Sequence, residues 1–125
     1  MRVPDAEPLV QSYLASALGV RVTTAGVPDG WDFTAPLVTV SRTGTWSVGQ
    51  DSAEFVDRPV ITVKSWAPTV PGARALSTSV RALMLGITSQ PYFSAASETS
   101  RYQSSGTEGE AQYVGVYPLV LSGRV

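Results

Sequence analysis

The chain has 125 residues, a mass of 13.2 kDa, 43% hydrophobic and only 15% charged residues, and a net charge of −1. That length predicts one domain, 1–125, with one modest core. The charge balance excludes a protein that grips duplex DNA by counterion release, and the lack of any Cys or His excludes disulfides, thiolate chemistry, Cys-based zinc sites and a Ser-His-Asp triad.

Asp5 suits an N-cap, Glu7 favours a first helical turn and Pro8 is tolerated there. Leu9, Val10, Tyr13, Leu14, Ala17 and Leu18 recur at helical spacing, and Gly19 stands where a helix ends, so the first helix is expected over 6–18. Val20-Arg21-Val22-Thr23-Thr24 alternates and is β-branched, which predicts a short strand. Val27-Pro28-Asp29-Gly30 is turn chemistry, leading past Trp31 and Phe33.

Residues 37–42 and 59–67 both alternate. In the first, Val38 and Val40 oppose Thr39 and Ser41; in the second, Ile61, Val63, Ser65 and Ala67 oppose Thr62, Lys64 and Trp66. They read as central antiparallel strands with one buried face. The connection between them, 43–57, is long for a hairpin, and long loops in compact domains are usually functional. It carries Trp46, whose burial the sequence leaves open, and the acids Asp51, Glu54 and Asp57.

A second helix is expected to open at Thr69, with Pro71 in its first turn, and to stop at Gly86. Ala73, Leu76, Val80, Leu83 and Ile87 mark its apolar stripe. Residues 101–104 and 112–121 read as a closing hairpin around Gly106-Thr107-Glu108-Gly109. In the last strand Val114 and Val116 have one parity and Leu119 and Leu121 the other, so a β-bulge or edge position is expected at Pro118, which cannot donate to a ladder.

The sum is an α/β (α+β two-layer) fold: a mixed, mostly antiparallel sheet of four to five strands with two helices packed on one face. The uncovered face is expected to carry Thr39, Ser41, Thr62, Lys64 and Trp66, with Tyr113 and Tyr117 alongside. Aromatic side chains among hydroxyls suit contact with another chain.

Chemical motifs are weak. Gly44-Thr45-Trp46-Ser47-Val48-Gly49 has the glycine spacing of a phosphate-binding loop, but Gln50-Asp51 replaces the Lys-Ser/Thr. Asp51, Glu54 and Asp57 alternate faces in extended chain and do not converge on a cation. No pair among the acids is distinguished by an apolar setting, so no catalytic residue, metal ligand or cofactor is assigned. No apolar run approaches the roughly 20 residues of a membrane span. The opening Met1-Arg2-Val3-Pro4-Asp5 lacks a secretory stretch, which predicts a cytoplasmic origin.

Across nearly its whole length the chain resembles the tail-terminator (head–tail joining) proteins of long-tailed (siphovirus) bacteriophages. The resemblance runs through Asp5-Ala6-Glu7-Pro8-Leu9-Val10 and Tyr13-Leu14, then Pro36-Leu37-Val38-Thr39-Val40-Ser41-Arg42-Thr43-Gly44 with its Arg-x-Gly ending. It continues through Ile61-Thr62-Val63-Lys64-Ser65-Trp66-Ala67, Ala73-x-x-Leu76 and Arg101-Tyr102 before a final apolar strand. Thr45 replaces the second glycine often seen after the Arg-x-Gly turn, and Ser122-Gly123-Arg124 only approximates the usual ending.

The resemblance implies a non-enzymatic virion protein, assembled in the host cytoplasm as a hexameric ring. Such a ring caps the tail tube, ends its polymerisation and meets the head connector or stopper, while genomic DNA passes through without sequence-specific binding. Under that reading Thr39, Ser41, Thr62, Lys64, Trp66, Trp46, Tyr113 and Tyr117 are candidate subunit-interface residues, and Asp51, Glu54, Asp57, Glu108 and Glu110 are candidates to line the channel. The alternatives are another neck protein, a stopper or adaptor, and from a different class a small binding domain or hydrolase.

Overall fold

The computed structural model describes residues 4–46, 56–105 and 111–122. Helix α1 covers Ala6–Leu18, followed by strands β1 (Arg21–Thr23), β2 (Leu37–Thr45), β3 (Val56–Asp57) and β4 (Pro59–Ala67). Helix α2 (Val70–Leu85) and a 3-10 turn at Ile87–Ser89 lead to β5 (Phe93–Ala96), β6 (Ser100–Ser105) and β7 (Ala111–Ser122).

Local chemistry sets the helix ends. Asp5 occupies the N-cap of α1 with extended backbone but makes no side-chain capping bond, so its contribution is charge near the positive helix end. Gly19 takes φ 68° and returns its N–H to the Ala15 carbonyl, a left-handed ending that costs glycine little. At α2 the Thr69 hydroxyl accepts from Gly72 N at 3.2 Å, and Pro71 sits in the first turn where no donor is needed.

The seven strand segments form a mixed sheet with the two helices packed against it. β1 runs parallel to β2; every other pairing is antiparallel. β3 and β4 share one register along β7, with Asp57 opposite Leu121 and Val60 opposite Pro118. They are one strand interrupted at Arg58. β5 and β6 share the other edge of β7, so the segments make five ribbons in the order β1, β2, β3/β4, β7, β5/β6.

Helices cover only one side of the pleat, called here the helix face. Val10 and Leu14 of α1 and Val80 and Met84 of α2 bury against Val22, Val38, Val40, Ile61, Val63, Tyr117 and Leu119. β2 and β4 supply Val38, Val40, Ile61 and Val63 to this side, matching the alternation of their sequences.

The last strand departs from expectation. Its pairing with β4 runs from Ala111 to Pro118 without a register shift, so there is no bulge in β7 at Pro118 and it is not an edge strand. The backbone groups of Val116, Pro118 and Ser122 point toward the β5/β6 ribbon: Thr99 N donates to Val116 O, Ser97 N to Pro118 O, and Ser122 N donates to Tyr92 O. The missing Pro118 N–H therefore faces residues 97–99, where the outer ribbon is broken between β5 and β6, and no ladder bond is lost. The apolar parity changes because both faces of β7 are apolar: Val114 lies on the outer face and Tyr117, Leu119 and Leu121 on the helix face, all buried.

Candidate interaction surface

The outer face combines alternate residues of β2, β4, β7 and β6. Register places Thr39 beside Lys64 and Ser41 beside Thr62, then Lys64 beside Val114 and Val114 beside Tyr102. Thr43 joins them through a 2.8 Å hydroxyl bond to Thr62, at the bulge between Arg42 and Gly44. Thr39 and Thr62 are mostly buried among these neighbours, while Ser41 and Lys64 remain half-exposed. Tyr102 projects from this face at 53% exposure, more than any other large hydrophobic side chain among the described residues.

One end of the face is not open. The 24–36 segment folds back over it, and the Phe33 ring packs on Trp66 with centroids 5.4 Å apart. Trp66 is thereby buried, together with Leu37 and Gln112. Trp66 therefore offers little area to a partner while this cover is in place. The cover carries strain, because Phe33 adopts φ 60°, a conformation costing a non-glycine residue roughly 1–2 kcal/mol. Register makes Trp66 and Gln112 neighbours, and Trp66 Nε1 and Gln112 Oε1 are both buried without a hydrogen-bond partner.

Two aromatic residues expected on the outer face lie on the other side. Tyr113 stands opposite Ser65 and Tyr117 opposite Ile61, so both point to the helices. Tyr113 Oη accepts from Arg74 Nε of α2 at 3.0 Å. Tyr117 is fully buried and presents nothing to another subunit. The expected faces follow from a parity reversal at Pro118, and the continuous pleat of β7 removes that reversal.

Tyr117 has a polar setting inside the helix layer. Its hydroxyl and Glu98 Oε2 are both buried and neither completes a hydrogen bond of good geometry. Glu98 Oε1 accepts from Arg81 Nε at 3.2 Å, and Arg101 Nη1 donates to Thr78 Oγ1 at 3.4 Å. Burial pushes the Tyr117 phenol far above its ordinary range, and the nearby Glu98 carboxylate adds to the rise.

Trp46 is half-buried rather than an exposed tip. Its Nε1 donates to Leu119 O at 3.0 Å and the Arg58 guanidinium lies 4.7 Å from its ring centroid, so one side of the indole is occupied by its own chain. Asp57 is also engaged: it takes two bonds from Arg42, Nη1 to Oδ2 at 2.7 Å and Nη2 to Oδ1 at 2.8 Å. Arg42 gives a further bond to Thr45 Oγ1. Asp57, an expected channel-lining candidate, is thus paired within its own chain. Asp51, Glu54, Glu108 and Glu110 lie outside the described residues, as do Ser47, Val48 and Gly49 of the phosphate-loop-like stretch.

A second surface feature was not among the sequence expectations. Between α1 and residues 90–93 lies a groove of about 470 Å³, lined by residues that include Leu9, Tyr13, Tyr92 and Phe93. Tyr92 holds φ 76°, anchored through its carbonyl by Ser122 N at 2.8 Å. Tyr13 closes the inner wall by donating its hydroxyl to Leu83 O at 2.9 Å. A hint was present in composition: residues 8–18 carry no charge, whereas the solvent side of a surface helix is normally charged.

Among the described residues no group of three acidic side chains gathers as a cation site, and no helix is long and apolar enough to cross a membrane. Comparison with protein-family models and with characterised proteins finds no match to this chain.

Proposed function

We propose that this chain is a structural ring subunit at the head-proximal end of a long-tailed phage tail tube, where it ends tube growth and joins the tail to the head connector. The observation that carries the reading is an architecture of the kind the resemblance implies: a sheet backed by two helices on one face, with the other face holding Ser41, Thr43, Lys64 and Tyr102 toward solvent. Hydroxyl and aromatic groups there suit an interface that must be soluble before assembly.

Size is compatible with a ring. The chain exposes 6608 Å², and two neighbours at roughly 800 Å² each would cover about a quarter of it. A closed ring uses different patches on its two sides. The near-neutral charge suits a lumen through which DNA slides without phosphate being held.

Particles made without the protein test the reading. Overlong tails are the expected result. Heads that leak DNA beside tails of normal length would instead assign a stopper, and unaffected particles would remove the protein from the neck. The native mass of the purified chain, alone and with the tail-tube protein, checks the ring itself.

A further inference from the structure

We propose that Tyr102 of one copy docks into the groove between α1 and residues 90–93 of the next copy. The inference rests on the ring reading for its partner, a second copy of this chain, and adds the two patches that meet.

The two features match chemically. Tyr102 is the aromatic side chain left most exposed among the described residues, on the outermost ribbon of the sheet. A tyrosine has an apolar ring and a polar tip and binds best where both are served. The groove has that division: Leu9, Ala17 and Phe93 give it apolar walls, while the exposed Ser12 and Ser16 hydroxyls and the Gln90 amide line its rim. Neither the groove lining nor the outer-face neighbours of Tyr102, which are Ser100, Ser104 and Val114, contain a charge to be stripped of water. The strained Tyr92 backbone fixes one lip, consistent with a preformed receptor site.

Placement decides the symmetry. Tyr102 projects from the outer face, whereas the groove is built on α1, in the helix layer on the opposite side of the sheet. A twofold contact would need both features within one patch. Features on opposite layers instead give a head-to-tail contact, which closes into a ring or runs on as a filament.

The absence of cysteine from the chain permits a clean cross-linking test. In the double variant Ser100→Cys, Ser16→Cys, which keeps Tyr102 and labels its exposed outer-face neighbour, a short bifunctional maleimide should yield a ladder of covalent oligomers. A product that stops at dimer would show a twofold contact and overturn the proposal, as would no cross-link in a preparation whose native mass shows assembly.

Complementation gives a second arm. Tyr102→Ala and Ser16→Trp, the latter filling the groove from an exposed helical position, should each assemble at least tenfold more weakly than the parent. Mixed in equal amounts they should form a species of twice the subunit mass and no larger, because each has one intact side. Tyr102→Phe should retain most assembly, and unchanged thermal melting of the variants would show that folding is intact. Wild-type assembly by both single variants would overturn the docking while leaving the ring reading standing. Cross-linking that succeeds for a protein whose loss leaves tails of normal length would do the reverse.

Discussion

The Tyr117 ring lies across Gly115, its same-face neighbour two positions earlier in β7, so closely that a Cβ at 115 would stand 2.6 Å from Tyr117 Oη and 2.7 Å from its ring. Tyr117 is fully enclosed, so the ring has no free direction in which to yield. Gly115→Ala should therefore destabilise the fold by about 1–3 kcal/mol, as overpacking does. Thermal melts would show a drop of about 4 °C for each kcal/mol at this size. A variant melting with the parent would mean that the ring does not rest on Gly115.

Tyr117 also predicts an alkaline weakness. Its phenol is raised by burial and then by Glu98, so the folded state keeps a proton that the unfolded state releases near pH 10. The sign follows: the contribution is fully present below pH 10 and falls as pH rises toward the folded value, by up to about 1.4 kcal/mol per unit of pH. Tyr117→Phe should flatten that loss. Urea unfolding of both proteins at pH 9 and pH 11 measures it; equal slopes would place the phenol in water.

Arg42 of β2 and Asp57 of β3 join the two ends of the 46–55 connection with a bidentate pair. Their side chains are 28% and 22% exposed, so the pair is worth more than a surface contact and less than a dry one. Asp57→Asn should cost about 1–2 kcal/mol. Arg42→Lys should cost about 1 kcal/mol, because an ammonium cannot reproduce the fork. Chemical denaturation of each single variant and of the pair gives the coupling, which would vanish if the contact did not exist in solution.

Phe33 separates packing from backbone strain. Phe33→Ala removes its contact with Trp66, about 1 kcal/mol beyond area alone, yet leaves a Cβ at φ 60°. Phe33→Gly loses the same contact and relieves the strain, so it should exceed the alanine variant in stability by about 1 kcal/mol. Tryptophan fluorescence should move to longer wavelength in both as Trp66 meets water. An alanine variant more stable than the glycine one would show that the segment does not hold this conformation.

Much of the fold was legible from local sequence. The limits of α1 follow from the 3.6-residue spacing of Val10 and Leu14 and from Gly19, and those of β4 from strict alternation through Ile61, Val63 and Ser65. The Thr69 cap with Pro71 places the start of α2 in the same way. Such features are decided within a few residues of themselves, by capping, φ preference and side-chain period.

Register was not legible in the same way. The faces of Tyr113 and Tyr117 depend on whether β7 keeps its pleat through Pro118, and that depends on where β5 and β6 break along its other edge. The burial of Trp66 depends on a segment returning from 24–36, and the groove beside α1 on a turn more than 70 residues further along the chain. The sequence alone determined the two helices, the strands β1, β2, β4, β6 and β7 and the nearly neutral, cysteine- and histidine-free chemistry, but not β3, which falls in the expected 43–57 loop, nor β5. Tertiary structure decided which aromatic side chains are spent on the core and which, like Tyr102, are left outside, because pairing partners distant in the chain choose the face a side chain occupies.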